Sequence, residues 1–348
     1  MLSYNRLKLL HFIAQLLHPT AIVCKSYFPA PQNFWDSLVR LGSSQLILPA
    51  IYCALKRKNL ENHASKDLMS YLQEITDLNQ KRNTSILRQI DFLSKTFKRH
   101  NICHVFLKGA AMLITRPYDV LSERMIGDID ILVSEKDLLK SQQLLIDQGF
   151  NVVSDEFSFT KGLKSEKHLN RIAHPNFIAA VEIHRKLLDL TLKKPISSIE
   201  ILNEKLQSSD GYYTPKKNHL WQHAILNWQY NDSGIIRNSL AFRPVLDVLY
   251  LESKDDVINL KNTSFAIKHF YSLLSLYFNT YFTYHPFSKI RYKWQLKYKL
   301  YNKFNNLYFR LHYLLKIGFL RLKSKAYRKR VFNNPKILKE RILNFWNK

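Results

Sequence analysis

The period of the hydrophobic positions along this chain changes twice, and the changes divide it. From residue 33 to about 100 they recur at helical spacing. Trp35, Leu38, Val39, Leu41, Leu46, Leu48, Ile51 and Leu55 make one run, interrupted near Gly42 and Pro49. Ile75, Leu78, Ile86, Leu87, Ile90, Phe92, Leu93 and Phe97 make a long amphipathic stretch that ends at Lys98-Arg99-His100, a basic helix end. The period then shortens. Residues 102–107 read as a short apolar strand, Lys108-Gly109 as a turn into a small-residue helix, and 129–133 as a second strand. Residues 135–148 read as a helix closed by Gly149. Residues 150–153 and 178–183 are further strands, with an extra one near 168–173. After about residue 190 the helical pattern returns, including roughly 216–230 and 237–252. The pattern predicts an α+β protein. A helical region spans 1–100, a compact αβ core 101–190, a second helical region 191–287, and a helical tail 288–348.

Two apolar runs raise the question of a membrane. Residues 9–17 follow Arg6 and Lys8, but the run holds His11 and Gln15 and no small-x-small cleavage site follows, so it makes a weak signal peptide. Between Lys268 and Lys289 there is no Lys, Arg, Asp or Glu, yet Asn279, His285, Pro286 and several hydroxyl residues make it a poor spanning helix and a better buried one. Cys24, Cys53 and Cys103 lie far apart without a Cys-x-x-Cys pair, which argues against a disulfide framework or a cysteine zinc site and fits a reducing compartment. The expectation is a cytoplasmic, soluble chain, at most bound to a membrane surface.

Charge narrows the partners. Of 348 residues 46% are hydrophobic, enough for a core, while 53 Lys and Arg against 27 Asp and Glu leave a net charge of +26. That excess favours an anionic partner: nucleic acid, nucleotide phosphates, an acidic glycan or an anionic membrane. The excess is uneven, since residues 288–348 carry 18 Lys and Arg against Glu340 alone, interleaved with aromatics such as Tyr292, Trp294, Tyr298, Tyr301, Phe304, Tyr308 and Phe309. Rings among cations can stack on RNA bases or sit at a lipid headgroup interface. The plainer alternative is an amphipathic appendage whose aromatics pack inward.

The chemistry centres on Asp128-Ile129-Asp130. On a strand, residues two apart share a face, so two carboxylates would stand side by side with Ile129 and Ile131 turned into a core. Such a pair is costly unless a cation neutralises it, and hard oxygen ligands suit Mg²⁺ or Mn²⁺. Twenty residues earlier, Lys108-Gly109-Ala110-Ala111 joins strand to helix, where backbone N–H groups attract phosphate. Arg124 precedes the pair in a Gly-containing loop and could neutralise phosphate. Glu182 and His184 share a face of a later strand, and Glu182 would complete a three-carboxylate metal site if that strand lies beside the Asp pair.

These segments resemble a family. Phe106-Leu-Lys-Gly-Ala-Ala, Arg124-Met-Ile-Gly-Asp-Ile-Asp-Ile-Leu-Val133 and Val181-Glu-Ile-His184 are similar to the largely uncharacterised bacterial nucleotidyltransferases of the polymerase-β-like superfamily. Trp35-Asp-Ser-Leu-Val-Arg-Leu, His219-Leu-Trp-Gln-His223 and Arg243-Pro-Val-Leu-Asp247 agree with its flanks, so the resemblance covers roughly 33–255. It implies a small mixed sheet as core and transfer of a nucleoside monophosphate from NTP to an unidentified acceptor. Asp128, Asp130 and Glu182 would hold Mg²⁺ or Mn²⁺ and carry catalysis, and Lys108, Gly109, Arg124 and His184 would meet the nucleotide. Two departures stand out. Ala110 follows Gly109 where the superfamily has Ser or Gly, and the step from the turn to the Asp pair is long.

Remaining candidates are weaker. His219 and His223 have i, i+4 spacing without the Glu of His-Glu-x-x-His, and read better as packed histidines than as zinc ligands. His184 could orient Glu182, contact nucleotide or cap the strand's exposed face. Lys108 could reach phosphate, though a strand-end lysine pointing away is the simpler reading. Asp247 reads as a structural partner for a basic residue. No Walker loop, Gly-x-Gly-x-x-Gly, kinase set or Gly-x-Ser-x-Gly elbow occurs. A catalytically inactive core with the basic tail binding RNA or anionic membrane is the competing reading.

Overall fold

The computed structural model describes residues 6–153, 167–188, 196–252, 263–278 and 285–323. It is a mixed α and β structure in which helices flank a five-stranded sheet. The first helical run folds as α1 (Arg6–Leu17), α2 (Gln32–Ser44) and α3 (Leu48–Arg57), with Pro49 in the first turn of α3, where its missing N–H costs nothing. The second run is α4 (Lys66–Arg99), a 34-residue helix whose start is capped by the Ser65 hydroxyl accepting from the Leu68 N–H. The apolar run near the N-terminus is the buried face of α1, with Phe12, Ile13 and Leu16 fully enclosed.

The core follows as β1 (His104–Phe106), α5 (Lys108–Thr115), β2 (Asp128–Val133), α6 (Leu138–Asp147), β3 (Asn151–Val152), β4 (Ile172–Ala173) and β5 (Ala180–His184). Strand order is β1-β2-β5-β4-β3, all antiparallel neighbours except the central parallel pair β2 and β5. The predicted helix 135–148 begins with a 3₁₀ turn, because the Ser134 hydroxyl accepts from the Asp137 N–H and fixes that turn first. Gly149 closes it at φ +91°, as its position predicts.

The sheet has two unlike faces. Ile129 and Ile131 of β2 and Val181 and Ile183 of β5 pack with Ile86, Ile90, Leu93 and Phe97 of α4 and with α6. The opposite face carries Asp128, Asp130, Glu182 and His184, since the register sets Asp130 against Glu182 and Leu132 against His184. The expectation that the Glu182 strand neighbours the Asp pair is met.

Helices return as α7 (Ser198–Asn203), then the small hairpin β6 (Leu206–Gln207) and β7 (Tyr213–Thr214), then α8 (Lys217–Leu226), α9 (Gly234–Arg237), α10 (Phe242–Leu251) and α11 (Phe265–Leu274). The predicted helix 216–230 does not run through. At Asn227–Asn231 the helix widens into a π turn, held by Asn231 Nδ2 donating to Asn227 Oδ1 at 2.7 Å and by the Asp232 N–H reaching back to Asn227 O at 3.1 Å. The predicted helix 237–252 starts only at Phe242, because Asn238 turns left-handed (φ +49°) and ends α9. Pro244 falls within the first turn of α10, where it is tolerated. The uncharged stretch 268–289 is in part the buried helix α11, with residues 279–284 outside the described set.

The tail is helical where described, as α12 (Pro286–Lys297) and α13 (Lys299–Lys323), while 324–348, with Glu340, lie outside the described residues. It is attached through polar side chains: Gln295 Nε2 and Asn305 Nδ2 both donate to Arg237 O, at 3.0 and 2.9 Å. Tyr292 packs inward and shares a 2.9 Å hydrogen bond with Tyr277. Trp294, Phe304 and Tyr308 stay more than half exposed. No helix among the described residues is long and apolar enough to cross a membrane.

Candidate functional site

Two strands and one turn build the acid face. Asp128 and Asp130 on β2 and Glu182 on β5 share it, and the Lys108 turn closes one side, because the Leu107 N–H donates to Asp130 O at 2.9 Å. Lys108 has φ +47°, a conformation that costs a residue with a Cβ energy and that surrounding structure must hold in place. Its ammonium does not point away. Lys108 Nζ lies 2.6 Å from Asp130 Oδ1, and His184 Nε2 lies 2.7 Å from the same oxygen. His184 is fully buried, so it caps no exposed face and braces Asp130 rather than Glu182 first, its distance to Glu182 Oε2 being 3.5 Å.

The opposite rim carries Arg171, which precedes β4. Its Nη2 bridges Asp128 Oδ2 at 3.0 Å and Glu182 Oε1 at 3.2 Å. His168 Nε2 sits 3.8 Å from Glu182 Oε2. Lys108 and Arg171 thus compensate the clustered charge that the sequence pattern made conspicuous, with His184 and His168 beside them.

The electrostatics follow from these contacts. Burial alone would raise the Asp130 carboxyl, but Lys108 and His184 outweigh it and hold Asp130 well below the usual carboxylate range. Glu182 is likewise lowered against its burial, chiefly by the hydrogen bond with His184. Asp128 moves the other way: burial and then the neighbouring Asp130 and Glu182 charges raise it. Burial pulls Lys108 down, but Asp130 more than restores it.

Ligand atoms of Asp130, Glu182 and His184 all lie within 4.8 Å of one another, the spacing at which they could share one ion. Two carboxylates and an imidazole are donors that a divalent ion accepts, and an ion binding there would have to displace Lys108 or Arg171 from the carboxylate oxygens they now hold. This grouping has His184 where the sequence reading had Asp128, which joins the cluster through Arg171.

A match to the whole central region now decides the family. The family of uncharacterised nucleotidyltransferases matches residues 31–263. The chain belongs to that family. No curated protein and no solved structure matches it. The match runs from α2 to just before α11, so it takes in the acid face and the helices around it.

In this nucleotidyltransferase the other sequence candidates take varied positions. Gly109 stands in the first turn of α5, and a Cβ there would lie 3.0 Å from Ile126 Cγ1, so its smallness makes room for the loop before β2. Arg124 is buried and bound in a fork by Asp247, Nε to Oδ1 at 2.7 Å and Nη2 to Oδ2 at 2.8 Å, with the Tyr118 hydroxyl on the same carboxylate. It therefore ties α10 to the loop that leads into β2, and Asp247 is the structural partner of a basic residue that its sequence position suggests. His219 lies 3.6 Å from Glu200, while His223 faces a separate cavity.

Sequence reasoning missed the clamp on the loop before β2. On one face of α4, Asn79 donates to Ser122 O at 2.6 Å, Asn83 to Leu121 O at 2.7 Å and Arg124 O at 2.8 Å, and Arg82 to Ile126 O at 3.0 Å and Gly127 O at 2.9 Å. Further along, Gln89 exchanges hydrogen bonds with Ala179 at the start of β5, at 2.8 and 3.1 Å. The available signal was polar residues recurring at helical spacing on a face that the neighbouring hydrophobics mark as buried. Arg171 gave no signal, for a cation arriving from a loop leaves no period.

Proposed function

We propose that this protein transfers a nucleoside monophosphate from NTP to an acceptor hydroxyl, using Mg²⁺ or Mn²⁺ held by Asp128, Asp130 and Glu182 with His184 beside them. The observation that carries the reading is the in-register pairing of Asp130 with Glu182, with Asp128 two residues along the same face. A bound divalent ion would supply charge neutralisation for the phosphates and acidify the attacking hydroxyl. The acceptor oxygen forms a bond to the α-phosphorus, the bond from that phosphorus to the bridging oxygen breaks, and pyrophosphate leaves. The hydroxyl proton passes to Glu182, directly or through water.

The chain's own groups do the positioning. His184 and Lys108 fix the Asp130 carboxylate from two sides. The first-turn N–H groups of α5, at Lys108 and Gly109, favour a phosphate, and Lys108 and Arg171 stand close enough to exchange carboxylate for phosphate oxygens. Acceleration then rests on orientation and fixed charge rather than on a covalent step.

Calorimetric titration of each NTP, with Mg²⁺ or Mn²⁺ and without, tests this on wild type and on Asp128→Asn/Asp130→Asn. Binding that requires the ion and disappears in the double variant is expected. A folded wild type that binds no NTP under any of these conditions would refute it.

A second surface supports a second reading, that α12 and α13 hold a polyanion. Trp294, Tyr298, Phe304 and Tyr308 are about half exposed or more on helices carrying Lys289, Arg291, Lys293, Lys297 and Lys303. Phosphate groups of RNA or of an anionic membrane would meet these cations while the rings enter bases or headgroups. Full-length protein should bind phosphatidylserine vesicles or single-stranded RNA with affinity that falls steeply with salt. Equal binding to neutral vesicles, and none to RNA, would reject it.

A further inference from the structure

Lys108 faces two ways. Its ammonium touches Asp130, and the residue also lines a cavity of about 330 Å³ bounded by α5, α8, the π turn, α10 and the turn between α2 and α3. That is the lower end of the size of small-molecule sites. Trp228, Leu240 and Pro244 supply apolar wall, while Arg124, Asp232, Arg243 and Asp247 supply charge.

The charges are not equally committed. Arg124 and Asp247 hold each other. Arg243 is half-buried, and among the described residues no hydrogen bond or ion pair holds its guanidinium. Burial, and then the nearby Arg124, push it below the usual arginine value, the mark of a cation whose counter-charge is incomplete. Among the described residues the Asp232 carboxylate accepts from the Asn227 amide alone, at 3.2 Å, and burial raises it. His223 lines the same cavity at 2% exposure with Nε2 unpartnered among the described residues, and burial lowers it to about 3, so it stays neutral. A buried polar atom without a partner is costly unless something supplies one.

The backbone is also special here. A π turn is a rare insertion that is frequently found at functional sites, and its Asn227 and Trp228 form part of the cavity wall. Leu46 of the same wall is left-handed at φ +56°, an uncommon state for leucine.

We propose that this cavity is the acceptor site, and that Arg243 takes an oxyanion on a small polar acceptor while Lys108 marks the passage to the acid face. The inference rests on the transferase reading above. A nucleobase is a poorer occupant, because it is flat and neutral and would offer the Arg243 guanidinium no direct ion pair beyond the nearby Asp232 and Asp247 charges. An acceptor bearing a phosphate, sulfate or carboxylate supplies the missing counter-charge, and its hydroxyls and amines suit Asp232 and the His223 Nε2.

Inorganic phosphate is the probe. Full-length protein is titrated with it calorimetrically, alone and after saturation with a non-hydrolysable NTP analogue and Mg²⁺. Phosphate should bind in both cases. Arg243→Gln should weaken phosphate by about tenfold or more, with Arg243→Lys intermediate, while NTP affinity changes by less than about twofold. Unfolding midpoints of both variants report whether the fold survives, and the Lys variant keeps the test readable if the Gln variant does not fold. Equal phosphate affinity in wild type and folded variants overturns the proposal. So does phosphate that is expelled by the NTP analogue together with an Arg243→Gln loss of NTP affinity, which would assign Arg243 to the triphosphate. Failure of the transferase reading is seen separately, as absence of metal-dependent NTP binding in wild type, and it would overturn the acceptor assignment too.

Discussion

Arg171 stands where a cation is wanted, bridging the carboxylates of Asp128 and Glu182. A guanidinium and a divalent ion cannot both be close to those oxygens without repelling each other, since two like charges a few ångströms apart cost on the order of kilocalories in a partly screened site. Removing the guanidinium should therefore strengthen ion binding. Arg171→Gln is expected to raise Mn²⁺ affinity, in the absence of nucleotide, by about tenfold. Titration followed by the electron spin resonance of free Mn²⁺ measures it, and unchanged or weaker binding would show that Arg171 does not compete. At this scale the acids were legible in the sequence because strand period alone puts Asp128 and Asp130, and Glu182 and His184, on shared faces. The cations were not. Lys108 reads from sequence as a lysine at a strand end, and only a left-handed backbone turns its ammonium onto Asp130. Arg124 reads as a phosphate donor, and it is the fork on Asp247, more than 100 residues away in the chain, that engages its guanidinium.

Helix α4 sets the register of the site without contributing to it. Asn79, Arg82, Asn83 and Gln89 lie at helical spacing on one face, and together they hold the carbonyls of the loop before β2 and both backbone groups of Ala179 before β5. Asn83 is fully buried, so replacing it leaves the Leu121 and Arg124 carbonyls without that donor and with no water to substitute. Asn83→Leu, which keeps the branch at Cγ but loses the amide, should destabilise the protein by about 1–3 kcal/mol or more and weaken metal-dependent nucleotide binding, although every acid remains. Chemical unfolding and calorimetry of the same variant measure the two effects, and a loss of stability with unaltered binding would confine α4 to a structural role. The helix itself was legible from 75 to 100 because its hydrophobics keep period. Its first turns, from Lys66, carry the same period in Leu68, Leu72 and Ile75, with Ser65 as the cap that marks the start. Strands β1, β2, β3 and β5 were legible to within one or two residues at each end, whereas the strand read near 168–173 shortens to Ile172–Ala173 and the two-residue strands β6 and β7 are too short to carry a period. The π turn was not, because Asn227 to Asn231 reads as more helix until the side-chain amides pair with one another.

Across the whole molecule two sources of acid sensitivity combine, and salt separates them. A net charge of +26 at neutral pH grows as carboxylates protonate, and mutual repulsion then favours expansion. Added salt screens that repulsion between exposed groups beyond about 10 Å at 0.1 M. Buried histidines respond differently. Burial lowers His104 to about 4, His223 to about 3 and His269 to about 4, from an ordinary 6.5. Between pH 6.5 and 4 the unfolded chain takes up a proton on each of these rings that the folded chain refuses, so stability falls as pH falls through that window and is whole above it. Each fully buried ring contributes about 3 kcal/mol over its range, an order-of-magnitude figure large against the whole stability of a domain. His104 is the cleanest ring to test. It is enclosed by Phe97, Phe106 and Tyr213, with ring centres 5.2, 5.6 and 5.7 Å away, and holds one backbone bond to Ile102 O. His104→Phe should fit that aromatic nest and remove one titrating group, so its unfolding free energy should depend on pH less steeply, by up to about 1.4 kcal/mol per pH unit between 6.5 and 4. Urea unfolding at several pH values, in 0.1 M and 0.5 M NaCl, measures it. The difference between variant and wild type should persist in both salts, because salt does not reach a buried ring; a difference that vanishes at 0.5 M would assign the acid sensitivity to surface charge instead.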